Sequence, residues 1–405
     1  MERRGTEVRV IVVPRDASGA RRWLAHLLRA SCGAIRAGDR FDDDLVFDAD
    51  SVARIALRHR VAPLLHRALQ DGRITDVLPV AFAETCERAY WATLRKNLLA
   101  LAAGDEILAA FDADGISAAP LKGWVLLTAP RAGVGAPGPL YADPGTRPMD
   151  DLDLVVARSD RDRAGELLRG VGFAPVQSES ARTGAYAGGH EIAFHRRDAG
   201  VDVFVELHWA SAGRESLLRG MALEGDEILR TLCTRSGRVG AARPTRLGHL
   251  LFTAFHGARH AFDRWIWLHD LHLQVVAAPL DWEALVTGAR ALRARAALYA
   301  GLVATRELLR TPVPKEVLAD LAPGVVRREL LHRTLSASMR DGAGKRPGRM
   351  AKLLLGESWW EVARTAAWAT LPGAAWYAAR GEDGTLRRRL RQPARALLDV
   401  GGRPS

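Results

Sequence analysis

The chain of 405 residues contains few cysteines and no long apolar run. Its three cysteines, Cys32, Cys86 and Cys233, lack the close spacing of metal ligands, so free thiols in a reducing compartment are expected. No uninterrupted apolar stretch approaches the roughly 18 to 20 residues needed to cross a bilayer. The short apolar patch near the amino terminus is too weak to predict a secretion signal. These absences predict a cytoplasmic protein without a transmembrane segment.

Lysine is also scarce, with 5 residues against 53 arginines, although the formal net charge is +11. The arginines are spread along the chain, a pattern typical of GC-rich coding bias, so we expect no stable nucleic-acid partner. The one dense basic run, at residues 386–391, is interpreted as a solvated helix face. The alternative for this run is contact with a weak anionic partner.

Hydrophobic periodicity divides the chain into helical and mixed regions. Apolar residues recur at helical spacing on both sides of a segment that alternates short strands with a helix. The predicted regions are an N-terminal tail (1–17), an N-terminal helical region (18–115), an α/β core (116–212), a C-terminal helical region (213–380) and a basic C-terminal tail (381–405). The predicted helices span residues 20–34, 51–71, 81–111, 247–260, 265–277 and 282–308. Gly104 is a candidate break, and residues 311–314 are a candidate linker.

Two acids stand on one face of a predicted strand at residues 147–156. Asp151 and Asp153 would face one way while the intervening apolar residues face the other way. Carboxylates at this spacing lie roughly 7 Å apart along the backbone and repel each other. A bridging divalent cation would remove the repulsion, and Mg²⁺ binds carboxylate oxygens together with phosphates. The alternative is a strand end whose acids are simply solvated.

A second strand is predicted at residues 201–209, where polar and apolar residues alternate. One face of this strand carries Asp202, Phe204, Glu206 and His208. A third carboxylate on a neighbouring strand is what a two-metal phosphoryl-transfer site requires. A helix capped by Ser159 and ending at residues 170–172 would connect the two strands. The lysine of a turn further upstream, Lys122, offers a compact point charge that suits a phosphate.

The order of these motifs resembles the bacterial nucleotidyltransferase-like proteins of the DNA polymerase β-like superfamily. The matching residues are 121–123, Arg147, Asp151, Asp153, Glu206, His208 and Trp209. Further matches are residues 59–65, His256, Trp267 and Asp270, so the resemblance spans about residues 50–280. The chain departs from the superfamily in three ways. A Lys-Gly turn replaces the usual Gly-Ser turn, residues 130–146 form a Pro/Gly-rich insertion, and the third acid is Glu rather than Asp.

The resemblance implies a mixed α/β core flanked by helices. It also implies Mg²⁺-dependent transfer of a nucleoside monophosphate from an NTP to an unknown small-molecule, peptide or protein acceptor, with release of pyrophosphate. It assigns two Mg²⁺ ions to Asp151, Asp153 and Glu206. It assigns the nucleotide to Lys122, the Gly123 amide and Arg147. It gives His208, His256 and Asp270 one of two roles, either to support the acids or to line the acceptor side of the site.

Other polar and aromatic groups favour structural interpretations. His190 and His195 are five residues apart, so they diverge on a helix and on a strand, which disfavours a zinc site. His256 and His260 share a helical face, where a packed pair is favoured over a metal site. Core packing is favoured over an interfacial membrane contact for Trp359, Trp360, Trp368 and Trp376.

A non-enzymatic function remains the competing hypothesis. A binding or scaffold protein could keep the nucleotidyltransferase fold without turnover. The unusual Lys-Gly turn favours this alternative, whereas three acids on adjacent strands favour the enzyme, because a protein released from catalysis need not retain them.

Overall fold

The computed structural model describes residues 18–35, 45–128, 139–176, 189–212, 222–235, 242–339 and 345–371, with positions 373, 377, 385 and 386. The predicted N-terminal tail lies outside these residues, as does the predicted basic C-terminal tail except for its positions 385 and 386. Within the described ranges, no helix is both long enough and apolar enough to cross a membrane.

Four helices form the N-terminal part of the structure. They are α1 (Gly19–Ser31), α2 (Ala49–Arg58), α3 (Ala62–Gln70) and α4 (Val80–Ala113). The prediction of one helix over residues 51–71 is wrong, because the chain turns between α2 and α3. Arg60 takes a left-handed conformation there, with φ of 61°. Pro63 lies in the first turn of α3, where its missing N–H is tolerated, whereas inside a continuous helix it would break the ladder.

Helix α4 runs without interruption through Gly104, which is buried against the sheet region rather than being a break. A Cβ atom at this position would stand 2.4 Å from Cζ2 of Trp124, a buried side chain. The glycine therefore lets Trp124, two residues after Lys122, pack directly on the helix backbone.

We expect Gly104→Ala to lower the free energy of unfolding by about 1 to 3 kcal/mol, because overpacking against Trp124 outweighs the gain in helix propensity. Gly165→Ala is the matched control, since its Cβ would meet only Phe194 at an ordinary 3.5 Å. The control should be neutral or stabilising by up to about 1 kcal/mol. Urea unfolding of both variants measures the effect, and equal stabilities would contradict the packing argument.

A five-stranded mixed sheet forms the centre of the molecule, as predicted. Its strands are β1 (Ala118–Pro120), β2 (Leu152–Val156), β3 (Ala174–Pro175), β4 (Glu191–Asp198) and β5 (Val201–His208). They lie in the order β1-β2-β5-β4-β3. Strand β2 is antiparallel to β1 and parallel to β5, and β4 is antiparallel to both β3 and β5. All five residues of β2 are buried, so its two neighbours and the helices enclose it.

Two helices accompany the sheet. They are α5 (Lys122–Leu127) and α6 (Arg161–Gly170), the second preceded by a 3-10 turn at Arg158–Asp160. Helix α6 ends at Gly170 as predicted, but it begins after Asp160 and not at a Ser159 cap. The route from β2 through α6 and the hairpin of β4 and β5 brings β5 alongside β2 in parallel.

The C-terminal part is again mainly helical. Its elements are α7 (Gly225–Thr231), β6 (Cys233–Arg235), β7 (Ala242–Pro244), α8 (Arg246–Arg259), α9 (Trp265–Val276), α10 (Trp282–Ala291), α11 (Arg295–Leu309), α12 (Lys315–Leu321), α13 (Val325–Ser338), α14 (Lys345–Leu354) and α15 (Trp359–Thr370). The hairpin of β6 and β7 was not predicted. The prediction of one helix over residues 282–308 is wrong. Arg293 takes a left-handed conformation between α10 and α11, with φ of 54°.

The apolar core is continuous from the N-terminal helices through the sheet to the C-terminal helices. Residues 311–314 do not form a loose linker, since Thr311 and Val313 are buried. The prediction that the four tryptophans near the carboxyl end pack in the core is wrong for two of them. Trp359 is 51% exposed and Trp360 is 73% exposed, whereas Trp376 lies outside the described residues.

Candidate active site

The three acids predicted from the sequence meet at one end of the parallel strand pair. Asp153 on β2 stands opposite Glu206 on β5, and Asp151 directly precedes β2. Asp153 and Glu206 are buried, at 3% and 9% exposure, while Asp151 is half-buried. The three side chains line a single cavity of about 440 Å³. The alternation of each strand set which side chains share a face, and the parallel pairing placed the two faces together.

Lys122 reaches into this acid cluster from the start of α5. Its Nζ contacts Oδ1 of Asp153 and lies 3.9 Å from Oε2 of Glu206. The side chain is only 14% exposed. Although burial acts to lower the pKa of Lys122, the Asp153, Asp151 and Glu206 carboxylates outweigh burial and raise it. The ammonium therefore stays charged and compensates part of the negative charge of the acids.

His208 joins the acid cluster to a fourth carboxylate, that of Glu191. Its Nε2 lies 2.8 Å from Oδ1 of Asp153, and its Nδ1 lies 3.2 Å from Oε2 of Glu191. His190 Nε2 is 3.1 Å from the same Glu191 oxygen. Burial acts to lower the pKa of His208, but Asp153 and Glu191 raise it overall, so the imidazolium is favoured. A charged His208 fixes the orientation of the Asp153 carboxylate.

Glu191 is the site residue that sequence reasoning missed. The signal was present in the turn between β4 and β5, where Ala199 and Gly200 both have positive φ, as a two-residue hairpin turn requires. Counting back from that turn pairs Glu191 with His208. His195, which was weighed with His190 as a zinc ligand, is an exposed residue of β4 that faces Phe204. Recognition of a two-residue turn at Ala199 and Gly200 would therefore have predicted that Glu191 pairs with His208.

Burial and mutual repulsion shift the pKa values of the acids apart. Burial, with Glu191 and Asp153, raises the pKa of Glu206 to about 7. Burial and Asp153 raise the pKa of Asp151 to about 6. Burial also acts to raise the pKa of Asp153, but Lys122 and His208 outweigh it and hold that pKa below its ordinary value. Asp153 is thus the compensated acid, and Glu206 and Asp151 are the acids that lack sufficient positive charge.

We expect Glu206→Gln to stabilise the protein at high pH. Because the folded-state pKa of Glu206 is raised from 4.5 to about 7, the unfolded chain ionises first, and wild-type stability falls as pH rises through this interval. At pH 8 the variant should gain about 1 to 3 kcal/mol, at 1.36 kcal/mol per pKa unit, and near pH 4.5 little. Asp202→Asn, an exposed acid on the same strand, should change stability by less than about 0.5 kcal/mol. A pH-independent effect in chemical unfolding would contradict this assignment.

Acidic and basic side chains share the lining of the cavity and pair with one another. Its carboxylates are Asp150, Asp151, Asp153, Glu191, Glu206 and Asp263, and its cations are Arg60, Lys122, Arg147, Arg259 and Arg264. Arg60 lies in the turn between α2 and α3, within the upstream motif at residues 59–65, and pairs with Asp150 at 2.6 Å. Arg264 Nη1 lies 3.4 Å from the same Asp150 oxygen, and Arg259 Nη2 lies 3.9 Å from Oε2 of Glu191. The helical regions therefore supply three of the five cations, and strands β2, β4 and β5 supply three of the six acids.

Arg147 and Asp270 form a buried ion pair beside the cavity. Arg147 Nη2 lies 2.6 Å from Oδ2 of Asp270, and its Nε lies 3.3 Å from Oδ1. Tyr141 adds its hydroxyl at 2.7 Å from Oδ1 of Asp270. A Cβ at position 123 would stand 2.2 Å from Nη1 of Arg147, so Gly123 allows the guanidinium to lie directly on the turn. Asp270 is 1% exposed, which places it in the supporting network and not on the cavity wall.

An aromatic group lines the part of the cavity contributed by α8 and α9. His256 and His260 lie with ring centroids 5.3 and 4.9 Å from that of Trp267, and the Arg264 guanidinium lies 5.6 Å from this ring. Burial and the nearby Lys122 lower the pKa of His256 well below its ordinary value, so its imidazole is neutral. A neutral imidazole beside an indole can contact an uncharged ring or accept a hydrogen bond.

Two sets of side chains have the spacing of a metal site among the described residues. One comprises Asp153, Glu206 and His208, and the other comprises His190, Glu191 and His208, with ligand atoms within 4.8 Å of one another in each. Asp153 and Glu206 of the first set line the cavity together with Asp151. The two carboxylates of this set are hard oxygen donors, which suit Mg²⁺.

Comparison with known proteins agrees with this geometry. A family model described as an uncharacterised nucleotidyltransferase matches residues 46–310, which is more than half of the chain. The match includes the acid cluster, the Lys122 turn, α8 and α9. No curated protein and no solved structure is similar to the chain.

Proposed function

We propose that this chain, which belongs to the uncharacterised nucleotidyltransferase family, transfers a nucleoside monophosphate from an NTP to an acceptor in a Mg²⁺-dependent reaction. The observation that supports this proposal best is the register of β2 and β5, which sets Asp153 against Glu206 with Asp151 alongside. Three carboxylates at one end of a parallel strand pair, in a cavity that also contains five cationic side chains, suit transfer of a phosphoryl group. Pyrophosphate would be the second product.

The acids fit the metal that this chemistry needs. Asp151, Asp153 and Glu206 would hold two Mg²⁺ ions through oxygen donors, and the raised pKa values of Asp151 and Glu206 reflect carboxylates that lack positive charge. When bound, Mg²⁺ would supply Lewis-acid stabilisation of the phosphoryl oxygens and activation of the acceptor hydroxyl. His208 would hold Asp153 in its orientation through Nε2 while Glu191 holds the other ring nitrogen.

The cationic side chains of the cavity suit the triphosphate. Lys122 and the main-chain amide of Gly123 lie at the turn that borders the acids, and both residues line the cavity. Arg259 and Arg264 line the same cavity from α8 and the loop before α9. Arg147 is committed to Asp270, so its contribution would be to shape the turn at Gly123 as well as to add positive potential.

The size of the cavity favours a small acceptor group. A volume of about 440 Å³ falls in the range of small-molecule pockets, roughly 300 to 1,000 Å³. The wall formed by His256 and Trp267 is the part of the cavity that remains for a base or an acceptor once the polyphosphate lies near the cations. A small molecule, or a single side chain of a peptide or protein, would fit this space.

The position of a radioactive label tests the proposal. Purified protein with Mg²⁺ and a cell extract is incubated separately with α-labelled and γ-labelled NTPs. Nucleotidyl transfer predicts an acceptor that gains label only from the α-phosphate, with γ-label appearing in pyrophosphate. Label transferred from the γ-phosphate would indicate a kinase and would contradict the proposal.

A second candidate is a binding or scaffold protein that retains the fold. The observation that favours it is the charge compensation of Asp153 by Lys122 and His208, which needs no metal. A scaffold with a residual site predicts no rise in thermal midpoint on addition of Mg²⁺ with any NTP. A rise of several degrees, followed by label transfer, would favour the enzyme.

A further inference from the structure

The Lys122 ammonium lies where a metal ion would bind. Its Nζ contacts Oδ1 of Asp153 and stands 3.9 Å from Oε2 of Glu206. These two acids belong to the set whose ligand atoms could surround one ion. A divalent ion bound through Asp153 would compete with the ammonium for the same carboxylate oxygen, and two cations at this spacing would repel strongly in a buried site.

We propose that Lys122 is an exchangeable cation, which neutralises the acids in the metal-free protein and moves to the polyphosphate when the metal binds. This inference rests on the proposed function for the identity of the second partner. The exchange makes metal and nucleotide bind cooperatively, because the metal releases the ammonium that the phosphates then bind. Each ligand gains affinity from the other by the same factor, as linkage requires.

The backbone around Lys122 is held in place by its neighbours, and the side chain itself is a long, flexible stem. The Leu121 amide donates to the Asp153 carbonyl at 2.9 Å, which ties the turn to β2. Gly123 lies against Arg147 and Met149, where even a methyl group would collide. Lys122 itself has a φ of 53°, the left-handed region, which a non-glycine residue adopts at some cost. A four-carbon stem on this anchored turn lets the ammonium move without moving the acids.

The cavity provides a destination for the displaced ammonium. Lys122 lines the same cavity as Arg259 and Arg264, which lie 3.9 Å from Glu191 and 3.4 Å from Asp150. A polyphosphate bound beside these two arginines carries enough negative charge to bind a further cation. The ammonium would leave one set of anionic oxygens and join another, so its charge remains compensated in both states.

Metal binding without nucleotide gives the first test. Titration of Mn²⁺, detected by the electron paramagnetic resonance of the free ion, is compared in wild type, Lys122→Met and Lys122→Gln. Because each substitution removes the ammonium that competes for Asp153, both variants should bind Mn²⁺ about tenfold or more tightly. Lys96→Met is the matched control, because Lys96 pairs with Asp150 at 3.9 Å and does not contact Asp153. The control should bind Mn²⁺ within about twofold of wild type.

The same titration with a non-transferable nucleotide separates exchange from simple repulsion. In the presence of α,β-methylene analogues of the NTPs, the wild-type affinity for Mn²⁺ should rise at least about tenfold, and the variants should lose most of that gain. Their affinity for the analogue itself should fall by about tenfold to a hundredfold. If Lys122 only repelled the metal, the variants would remain tighter with nucleotide bound, which would overturn the exchange.

The scarcity of lysine permits direct observation of the side chain. With ¹³Cε-labelled lysine the chain gives five signals, and comparison with Lys122→Met assigns the one from Lys122. Adding Mg²⁺ should shift that signal while the others keep their positions. Metal binding with an unmoved Lys122 signal would overturn the inference, even if α-label transfer occurs. Exchange without label transfer would instead support the inference and count against the proposed reaction.

Discussion

Asp153→Ala is expected to abolish nucleotidyl transfer, with a fall in rate of about a thousandfold or more. Asp153 is the most buried of the three acids that would hold Mg²⁺ in the proposed site, and metal stabilisation of a phosphoryl transition state would be worth several kcal/mol, at 1.36 kcal/mol per tenfold in rate. Initial rates with α-labelled NTP measure the effect. Asp202→Ala is the control, because Asp202 is exposed on β5 and pairs only loosely with Arg197, at 3.8 Å.

The stability of this variant distinguishes two interpretations of the aspartate. Repulsion between Asp151 and Asp153, taken by itself, would make removal of one of these acids stabilising. In the structure, Lys122 and His208 both contact Asp153, so its removal leaves two buried cations with less compensation. We therefore expect a loss of about 1 to 3 kcal/mol at pH 7. Retained activity in a folded Asp153→Ala protein would contradict the proposed metal site.

Asp270→Ala is expected to lower the free energy of unfolding by about 3 to 5 kcal/mol, the largest stability effect at this site. Breaking a buried ion pair by removing one partner leaves an uncompensated charge, here that of Arg147. The Tyr141 hydroxyl loses one of its two hydrogen-bond partners, the other being Nδ1 of His269. Glu329→Ala is the control, since the Glu329 pair with Arg333 on α13 is exposed and should be worth less than about 1 kcal/mol.

A double variant separates the charge from the packing. Replacing both partners, as in Arg147→Met with Asp270→Leu, removes the buried charges together and should recover much of the stability lost in Asp270→Ala. Denaturant unfolding of Arg147→Met, Asp270→Leu and the double variant gives the coupling free energy. Additive losses would show that Arg147 and Asp270 act separately, and would remove the support for Arg147 as a residue that shapes the turn at Gly123.

The elements of the site could be predicted where the information was local. Strict alternation along residues 201–208 identified β5 and placed Glu206 and His208 on one face, because a strand repeats every two residues. The same reasoning placed Asp151 and Asp153 together. Boundaries were less predictable where one residue decided them. A left-handed Arg60 and a left-handed Arg293 each divide a segment whose apolar periodicity continues through the turn.

The partners of the charged residues depended on the tertiary structure. Nothing local to Lys122 indicates that its ammonium contacts Asp153, and nothing local to Arg147 indicates that Asp270, more than a hundred residues later, holds it. Glu191 lies in the site only because β4 pairs with β5, which places it opposite His208. The sequence by itself therefore determined which side chains are acidic and which face they share, since both follow from composition and strand period. Packing of strands and helices decided which charges meet, because Coulomb interactions depend on distance in space and not on separation along the chain.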